Sequence, residues 1–227
     1  MLVTSRLYII LLLSALAGSP AFAQPDTSYH KQLSIRLSPC ALIDINDGPS
    51  LRAGLEYKLT DRIALFIDGK EYLHFSSNSK WLAKTSVVGH AVIPGIKWFI
   101  TRHPEISDIK ARYFQFWYAY KDQAYTFTDS IAVNSSHVFR PFRMHQYSNS
   151  FSISYGEQTP IGKTHLLLDW YTGVGIRVFN SSSDLGGGEQ AYDYHDWTGD
   201  LTFYPNTATG HRVYPSLLLG LIIAYRF

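Results

Sequence analysis

A histidine and a serine that lie close together in the chain are the first candidates for covalent chemistry. His145 and Ser148 belong to the segment His145-Gln146-Tyr147-Ser148-Asn149. A histidine base that activates a serine nucleophile supports acyl transfer when the two side chains are within hydrogen-bond reach. The surrounding residues alternate as in a β-strand, where only residues i and i+2 share a face. The spacing therefore predicts opposite faces for the two side chains and argues against this chemistry.

Isolated charges at alternate positions of apolar segments form a second candidate set. They could line an ion or proton path. Charges in an enclosed interior need partners, however, so a structural network of salt bridges is the favoured interpretation. The predicted members of this interior network are Arg36, Glu56, Lys58, Asp68, Lys97, Asp169, Arg177 and Arg226, with Arg52 and Lys70 at equivalent positions.

The segment 180–212 combines acidic and aromatic residues. Its acids and histidine, which include Asp184, Glu189 and His195, suggest hard-cation binding, but their spacing matches no known loop and favours a solvated acidic loop. The same segment carries several aromatic side chains, among them Tyr192 and Trp197. It is therefore also a candidate binding site for an extracellular ligand.

Composition limits the class of protein. Of the 227 residues, 46% are apolar, 15% aromatic and only 17% charged, whereas soluble domains contain about 25% charged residues. The net charge of +2 implies no polyanionic partner, so nucleic-acid binding is not expected. The single cysteine, Cys40, excludes an internal disulfide, a cysteine-based zinc site and an iron–sulfur cluster, and no cofactor is expected.

Residues 1–23 have the pattern of a cleaved secretory signal peptide. Arg6 provides the positive charge, and the apolar run Leu7–Ala17 follows it. Ala21 and Ala23 form the small-x-small cleavage pattern, which places Gln24 at the start of the mature chain. The apolar run is too short to span a bilayer as a helix. The sequence thus predicts export, with residues 24–227 as a single domain.

Alternation with a period of two dominates the rest of the chain. On the last segment, large apolar residues alternate with smaller or mixed ones over Val213–Phe227, which is long for a strand of a soluble protein. Seven further segments have related patterns: 33–43, 51–59, 63–68, 90–100, 114–120, 147–155 and 168–177. The sequence therefore predicts eight strands.

The polar face of these strands consists of serine, glycine and isolated charges, not of the dense charge that an open aqueous surface would carry. Small residues suit a narrow enclosed interior, and a closed barrel leaves no unpaired strand edge, as a bilayer requires. We therefore predict an all-β fold, an eight-stranded antiparallel up-and-down transmembrane β-barrel. Eight strands leave room only for side chains, so the lumen is expected to be plugged.

Turn residues and aromatic residues refine this prediction. Thr60-Asp61-Arg62 and the segment 157–163 are predicted as short turns at one end. Longer connections are predicted at the other end, over 74–88, 122–141 and 180–212. Pro94 indicates either a β-bulge or a shorter fourth strand. Interfacial aromatic girdles are predicted from Trp98, Trp117, Trp170, Tyr225 and Phe227.

Three motifs follow one another along the chain: Gly54–Leu59 (GLEYKL), Gly95–Phe99 (GIKWF) and Asp169–Arg177 (DWYTGVGIR). In this order they resemble a group of small outer-membrane β-barrels of unknown function from Gram-negative bacteria. The ending resembles their C-terminal assembly signal, with an upstream glycine, Gly220, and the aromatic residues Tyr225 and Phe227. The resemblance implies outer-membrane lipids and the barrel-assembly machinery as partners, and it implies no activity.

The favoured function is therefore a non-enzymatic one, structural or in surface recognition through external loops. One alternative is an enzyme that modifies lipid A, because some eight-stranded outer-membrane barrels do so. A deacylase of this kind resembles His-x-Ser-Asn, whereas this chain has one residue more between His145 and Ser148. A second alternative is a soluble periplasmic carrier similar to lipocalins, whose apolar faces would point inward.

Overall fold

The structure is a computed structural model that describes residues 32–43, 50–73, 84–100, 110–133, 136–162, 164–186, 189–191 and 209–227. The predicted signal peptide, with Arg6, Ala21, Ala23 and Gln24, lies outside the described residues. So does most of the candidate ligand-binding segment, over 187–188 and 192–208. The described strands all belong to one compact unit, His30–Arg226.

The described residues form nine strands and one short 3-10 helix, Pro39–Ile43. None of them forms a helix long and apolar enough to cross a membrane. The strands are β1 Leu33–Ser38, β2 Ser50–Lys58, β3 Ile63–Tyr72, β4 Lys84–Phe99, β5 Ala111–Val133, β6 Ser136–Pro160, β7 Leu166–Ser183, β8 Glu189–Ala191 and β9 Gly210–Arg226.

Antiparallel pairing closes eight of these strands into a ring. The sheet order is β4-β3-β2-β1-β9-β7-β6-β5, and β4 also pairs with β5. The short strand β8 pairs with β5 outside the ring, over Ile131–Val133. The predicted all-β antiparallel class is confirmed, and β8 is an element that the sequence analysis did not predict.

The register fixes the tilt of the strands. A walk around the ring along paired residues starts at Leu33 and reaches Leu217 on β9. Extending the β1–β9 register, in which Leu37 pairs with Ile223, by six residues beyond the observed pairs would place Leu217 opposite position 43, ten residues from the start. A shear of ten over eight strands gives a tilt of about 41° and a backbone radius of about 8 Å, for about 3.3 Å per residue and about 4.8 Å between strands. Such a ring has room inside for side chains alone. The walk passes Leu33, Tyr57, Leu65, Ile96, Phe116, Ile153, Val174 and Leu217.

The two ends of the ring differ. At one end, here the turn end, Thr60-Asp61-Arg62 joins β2 to β3 as predicted, and the backbone N–H of Leu59 donates to the Ile63 carbonyl at 2.9 Å. At the same end, Gly162 takes a left-handed backbone conformation, φ 59°, in the connection between β6 and β7. At the other end, here the hairpin end, β5 and β6 extend beyond their neighbours.

The prediction of an external loop over residues 122–141 is wrong. β5 and β6 remain paired from Ala111↔Gln158 up to Val133↔Ser136, so residues 122–133 and 136–141 are strand. The part of β5 beyond Asp122 measures about 36 Å along the strand. A long two-stranded hairpin, hereafter the projecting hairpin, therefore stands where the sequence indicated an irregular connection.

Pro94 causes neither a bulge nor an early end of β4. Its register with β5 is the same on both sides, with Val92↔Tyr120 and Gly95↔Trp117, while the two pairs in between are absent. On the β3 side, Pro94 pairs normally with Ile67. The missing pairs are those that need an N–H group from residue 94, so the proline removes ladder hydrogen bonds locally without shifting the strand.

The ring directs its apolar side chains outward and its charged side chains inward, which is the reverse of a water-soluble protein. Leu219 is 85% exposed, Phe151 64%, Trp170 38% and Ile223 37%. Arg36, Asp68, Lys97 and Asp169 are each at most 1% exposed. The apolar faces thus point outward and the charged face points inward, as the alternation predicts.

Candidate functional site

The centre of the ring holds a charge network around Lys97. The Nζ of Lys97 lies 2.5 Å from an Asp169 oxygen and 2.7 Å from a Glu56 oxygen. Gln158 donates from Nε2 to both carboxylates at 3.1 Å, and the Tyr113 hydroxyl donates to Asp169. Strands β2, β4, β5, β6 and β7 are tied together by these contacts.

A second part of the network surrounds Asp68. Arg52 contacts it through Nη2 at 2.8 Å and Nε at 3.1 Å, and Nη1 of Arg52 donates to the Tyr171 hydroxyl at 3.0 Å. Arg36 joins the two parts, 3.6 Å from Asp68 and 3.7 Å from Glu56, and its guanidinium stacks on Phe66 at 4.2 Å. Three cations thus face three carboxylates, and the network is formally neutral.

Three of the residues predicted for this network lie elsewhere on the inward face. Lys58 lies near the turn end, with its Nζ 3.9 Å from Asp61. Arg226 lies at the same end and lines, with Lys58 and Glu56, a cavity of about 10 Å³, which is room for about one water molecule. Arg177 is half-buried on β7, and its guanidinium lies 5.5 Å from the Phe179 ring.

Inward aromatic rings occupy the space above glycines of the adjacent strand. The pairs Phe66↔Gly95, Tyr113↔Gly156 and Tyr171↔Gly220 are direct cross-strand partners. A Cβ atom at each of these glycines would overlap the partner ring. The glycines therefore leave the space that the rings occupy next to the charge network.

We expect Gly220→Val to destabilise the folded protein by about 1–3 kcal/mol, because the new side chain overpacks the site of the Tyr171 ring. Displacing that ring also disturbs Trp117, which packs against it edge-on at 5.2 Å. Urea unfolding in detergent micelles and the emission maximum of tryptophan measure the two effects. Refolding of purified protein separates them from any role of Gly220 in assembly.

The matched control is Gly69→Ala, where the nearest atom to the added Cβ is the Ala53 carbonyl oxygen at 3.9 Å. This variant should keep the stability of the wild type. Equal stability of Gly220→Val and the wild type would contradict the packing role.

The hairpin end of the interior is closed by an apolar cluster, here the roof. It consists of buried residues from β3 to β6, with Val133 and Leu185 packed against them. Leu185 belongs to the segment that leaves β7 and leads to β8. The roof residues are Tyr72, Val87, Tyr125, Ile131, Phe142 and Met144.

Polar contacts join Glu189 of β8 to Gly186 and to β6 next to the roof. Glu189 accepts hydrogen bonds from the Gly186 backbone N–H and from Arg140 Nη2, both at 2.7 Å. These two donors hold the pKa of the Glu189 carboxyl below its ordinary range. The carboxylate therefore stays ionised, and its contacts stay formed, in mildly acidic solution.

The outward face carries an apolar belt with charged borders. On β5, Phe114, Phe116, Tyr118 and Tyr120 occupy the outward positions between Arg112 and Asp122. Ten residues at about 2.5 Å along the ring axis give a belt of about 25 Å, the height of the apolar band on outer-membrane barrels.

Polar side-chain contacts lie at both borders of this belt. At the turn end, Glu157 contacts Lys110 at 3.1 Å and Arg112 at 3.5 Å. At the hairpin end, His145 Nε2 lies 2.7 Å from Asp122 Oδ1. Within the belt, the polar Asn149 accepts a hydrogen bond from the Tyr118 hydroxyl.

The predicted aromatic girdle is partly wrong. Trp98, Trp170 and Tyr225 are exposed on the outward face. Trp117, in contrast, points inward and belongs to a buried cluster with Phe66, Ile93, Tyr171 and Ile222. Its parity on β5 is that of Gln115 and Lys121, which are both buried, so it packs the interior.

His145 and Ser148 lie on opposite faces of β6. His145 is exposed and contacts Asp122, whereas Ser148 is buried in the interior. The described residues contain no group of three or more His, Cys, Asp or Glu side chains arranged to hold a metal ion. No base–nucleophile pair thus forms from this motif.

Sequence reasoning missed the uncharged members of the network. Tyr113, Tyr171 and Gln158 bind its charged groups. Tyr171 stands in an ordinary alternating segment, Tyr113 directly precedes one, and Gln158 was assigned to the predicted turn over 157–163, which is wrong at its start because β6 continues to Pro160. The signal that could have revealed the two tyrosines is the glycine opposite each of them, which becomes visible only when the strands are placed in register.

Comparison with known proteins gives no family. No family model matches the chain, and no curated protein matches it. Among solved structures, the crystal structure of a major outer membrane protein from Thermus thermophilus is similar over 87% of this chain and 99% of that chain, with 10% sequence identity and a TM-score of 0.43. At this level of similarity, no residue of the chain takes a role from that protein.

Proposed function

We propose that the protein is an outer-membrane β-barrel with a plugged lumen, and that it presents the projecting hairpin at the cell surface. The observation that carries the proposal is the sidedness of the ring: an apolar belt about 25 Å high faces outward, and the charged side chains are enclosed. Water would favour the opposite arrangement, because exposed apolar area costs about 25 cal/mol per Å².

The interior supports a closed structural core better than a conduction path. The charges of the central network neutralise one another at short distances. The cluster around Trp117 and Tyr171 and the roof add apolar layers. A permeating ion would have to displace paired side chains in a ring of about 8 Å backbone radius. The network therefore acts as a brace between strands.

Presentation is supported by the geometry of the hairpin end. β5 and β6 continue past the belt border at Asp122 as a regular ladder up to the pair Val133↔Ser136. The roof gives this extension a buried inner face. Val138 and Phe139 near the tip are exposed apolar residues, Phe139 at 73%. A regular two-stranded extension with exposed apolar side chains on β6 suits contact with a partner outside the cell.

The two alternatives have less support. Lipid A modification through His145 and Ser148 would need both side chains on one face, and they lie on opposite faces. A soluble carrier would need its apolar face inside, around a ligand, whereas Leu219 and Phe151 point outward.

Fractionation of a Gram-negative host that expresses the full chain tests the proposal. We expect the protein in the outer-membrane fraction, resistant to a carbonate wash and released only by detergent. A protease site inserted at 134–135, between β5 and β6, should be cleaved on intact cells. An insertion at Asp61 in the turn end should stay protected until the outer membrane is opened.

Release by carbonate would contradict the membrane assignment, and equal cleavage of both insertions would contradict the orientation. Mass spectrometry of lipid A from cells with and without the protein tests the enzymatic alternative, and an altered acylation pattern would overturn the non-enzymatic proposal. Step-like currents from the purified protein in planar bilayers would overturn the plugged lumen.

A further inference from the structure

A row of small residues crosses the inner wall of the ring beside Trp117. Trp117 on β5 pairs with Ser152 on β6. Ser152 in turn pairs with Gly175 on β7, which pairs with Ser216 on β9. Direct partners in neighbouring strands have Cβ atoms about 4.5–5.5 Å apart, so the two serines lie on either side of the glycine. The row therefore presents two hydroxyl groups to the lumen, with no side chain between them.

Neither hydroxyl has a hydrogen-bond partner among the described residues. The Oγ atoms of Ser152 and Ser216 are both buried, and Ser152 as a whole is 9% exposed. Native proteins pair nearly all buried polar side-chain atoms with protein groups or with ordered water. A buried hydroxyl that stays unpaired costs free energy, so these two atoms need a partner that the strands do not provide.

The two hydroxyls are close enough to share one small partner. The position that a Cβ atom of Gly175 would occupy lies 2.5 Å from Ser152 Oγ, 2.8 Å from the Phe151 carbonyl oxygen and 2.9 Å from Ser216 Oγ. Distances of 2.5 Å and 2.9 Å from one point place the two hydroxyl oxygens at most 5.4 Å apart. A water molecule with hydrogen bonds of about 2.8 Å spans up to about 5.6 Å, so one water can bridge both hydroxyls.

A second set of buried polar groups continues this row toward the charge network. Gln115 pairs with Ser154 across β5 and β6, and the two residues are 0% and 2% exposed. Both amide atoms of Gln115 and the Oγ of Ser154 lack a hydrogen-bond partner among the residues that the structure describes. Gln115 is also the direct partner of Lys97, so these groups border the network. Together with the first two hydroxyls they form one polar strip, hereafter the serine strip: Gln115, Ser152, Ser154 and Ser216.

The chemistry of the serine strip selects a small neutral partner. Its hydroxyls and its amide both donate and accept hydrogen bonds, so their partner must do the same. The central network beside it is formally neutral, which gives an ion no charge to balance. We propose that the serine strip binds ordered water inside the barrel, with one molecule bridging Ser152 and Ser216 above Gly175. This water ties β6 to β9 across β7, two strands that do not pair with each other.

X-ray diffraction from crystals of the purified protein shows such a water directly. We expect an electron-density peak within about 3.2 Å of both Ser152 Oγ and Ser216 Oγ. The peak should disappear in the variant Ser152→Ala/Ser216→Ala. It should persist in Ser38→Ala, a matched control in which the inward serine donates to the Leu221 carbonyl at 3.0 Å. Wild-type density that resolves other ordered waters but has no peak at this position would overturn the proposal.

The sign of the change in stability distinguishes a hydrated strip from a dry one. If a water completes the hydrogen bonds of Ser152, then Ser152→Ala loses a bond and should raise the unfolding equilibrium constant in urea by about three- to tenfold. If the hydroxyl were buried without any partner, the same change would remove an unsatisfied group and lower that constant. An unchanged or lower constant would therefore contradict the proposal.

The shared water also predicts that the two serines are coupled. Ser152→Ala and Ser216→Ala disrupt the same bound molecule, so the double variant should raise the unfolding constant by less than the product of the two single effects. The two hydroxyls do not hydrogen-bond each other, so effects that simply multiply would mean that no molecule joins them. Neither the density nor the unfolding constants depend on the location of the protein in the cell.

Discussion

Leu219→Arg is expected to lower the free energy of unfolding from lipid bilayers by about 2–4 kcal/mol, the cost of an arginine on the lipid face near the bilayer midplane. Leu219 is the midpoint of the outward stretch of β9 that runs from Val213 to Tyr225, and its side chain is almost fully exposed. In hydrocarbon, the guanidinium must remain hydrated by a local defect of the bilayer. Urea titration of folding into phosphatidylcholine vesicles measures the change.

The matched control is Val213→Arg on the same strand and the same face, six residues nearer the hairpin end. There the cost should fall to about 0–1 kcal/mol, as near the membrane interface. The contrast between the two sites is informative, because a soluble protein would tolerate either arginine on its surface. Equal effects at the two positions, or a gain of solubility with Leu219→Arg in the absence of detergent, would contradict the membrane assignment.

The sidedness could be predicted from the sequence because alternation is a local property. In β9, every second residue from Val213 to Tyr225 is apolar or proline, and this pattern alone determines which face they share. The eight strands of the ring follow from counting such segments. The same argument predicted the turn Thr60-Asp61-Arg62, where two alternating segments are separated by three residues.

The projecting hairpin was missed because the phase of the pattern reverses outside the belt. Within the belt, apolar residues of β5 such as Phe116 point outward. Beyond Asp122, the apolar residues Tyr125 and Ile131 point inward to the roof. The pattern of outward apolar residues therefore ends at Asp122, although the strand continues.

The partners within the charge network could not be predicted from the sequence at all. Lys97 and Asp169 are separated by 72 residues, and they meet because the shear of the ring brings β4 and β7 to the same depth. A change of register by two residues would keep every side chain on its face and change every partner. The alternation therefore showed which charged residues face the interior. Which of them contact one another became known only from the register of the paired strands.

Lys97→Met is expected to lower the unfolding free energy by about 3–5 kcal/mol, as for other buried pairs that lose one partner. Lys97 is fully buried between Glu56 and Asp169, so its loss leaves two carboxylates facing each other with one cation fewer. Methionine fills a similar volume, which limits the effect of a cavity. Urea unfolding of the purified protein in lipid vesicles measures the change.

The control for this variant is Lys110→Met at the exposed border of the belt, where the lysine contacts Glu157 at 3.1 Å. An exposed pair of this kind should contribute less than about 1 kcal/mol. Adding Asp169→Asn to Lys97→Met restores neutrality, so the double variant should be more stable than the sum of the two single effects by about 1–3 kcal/mol. Strict additivity would mean that Lys97 and Asp169 do not interact in the folded protein, and the role of the network as a brace between strands would be lost.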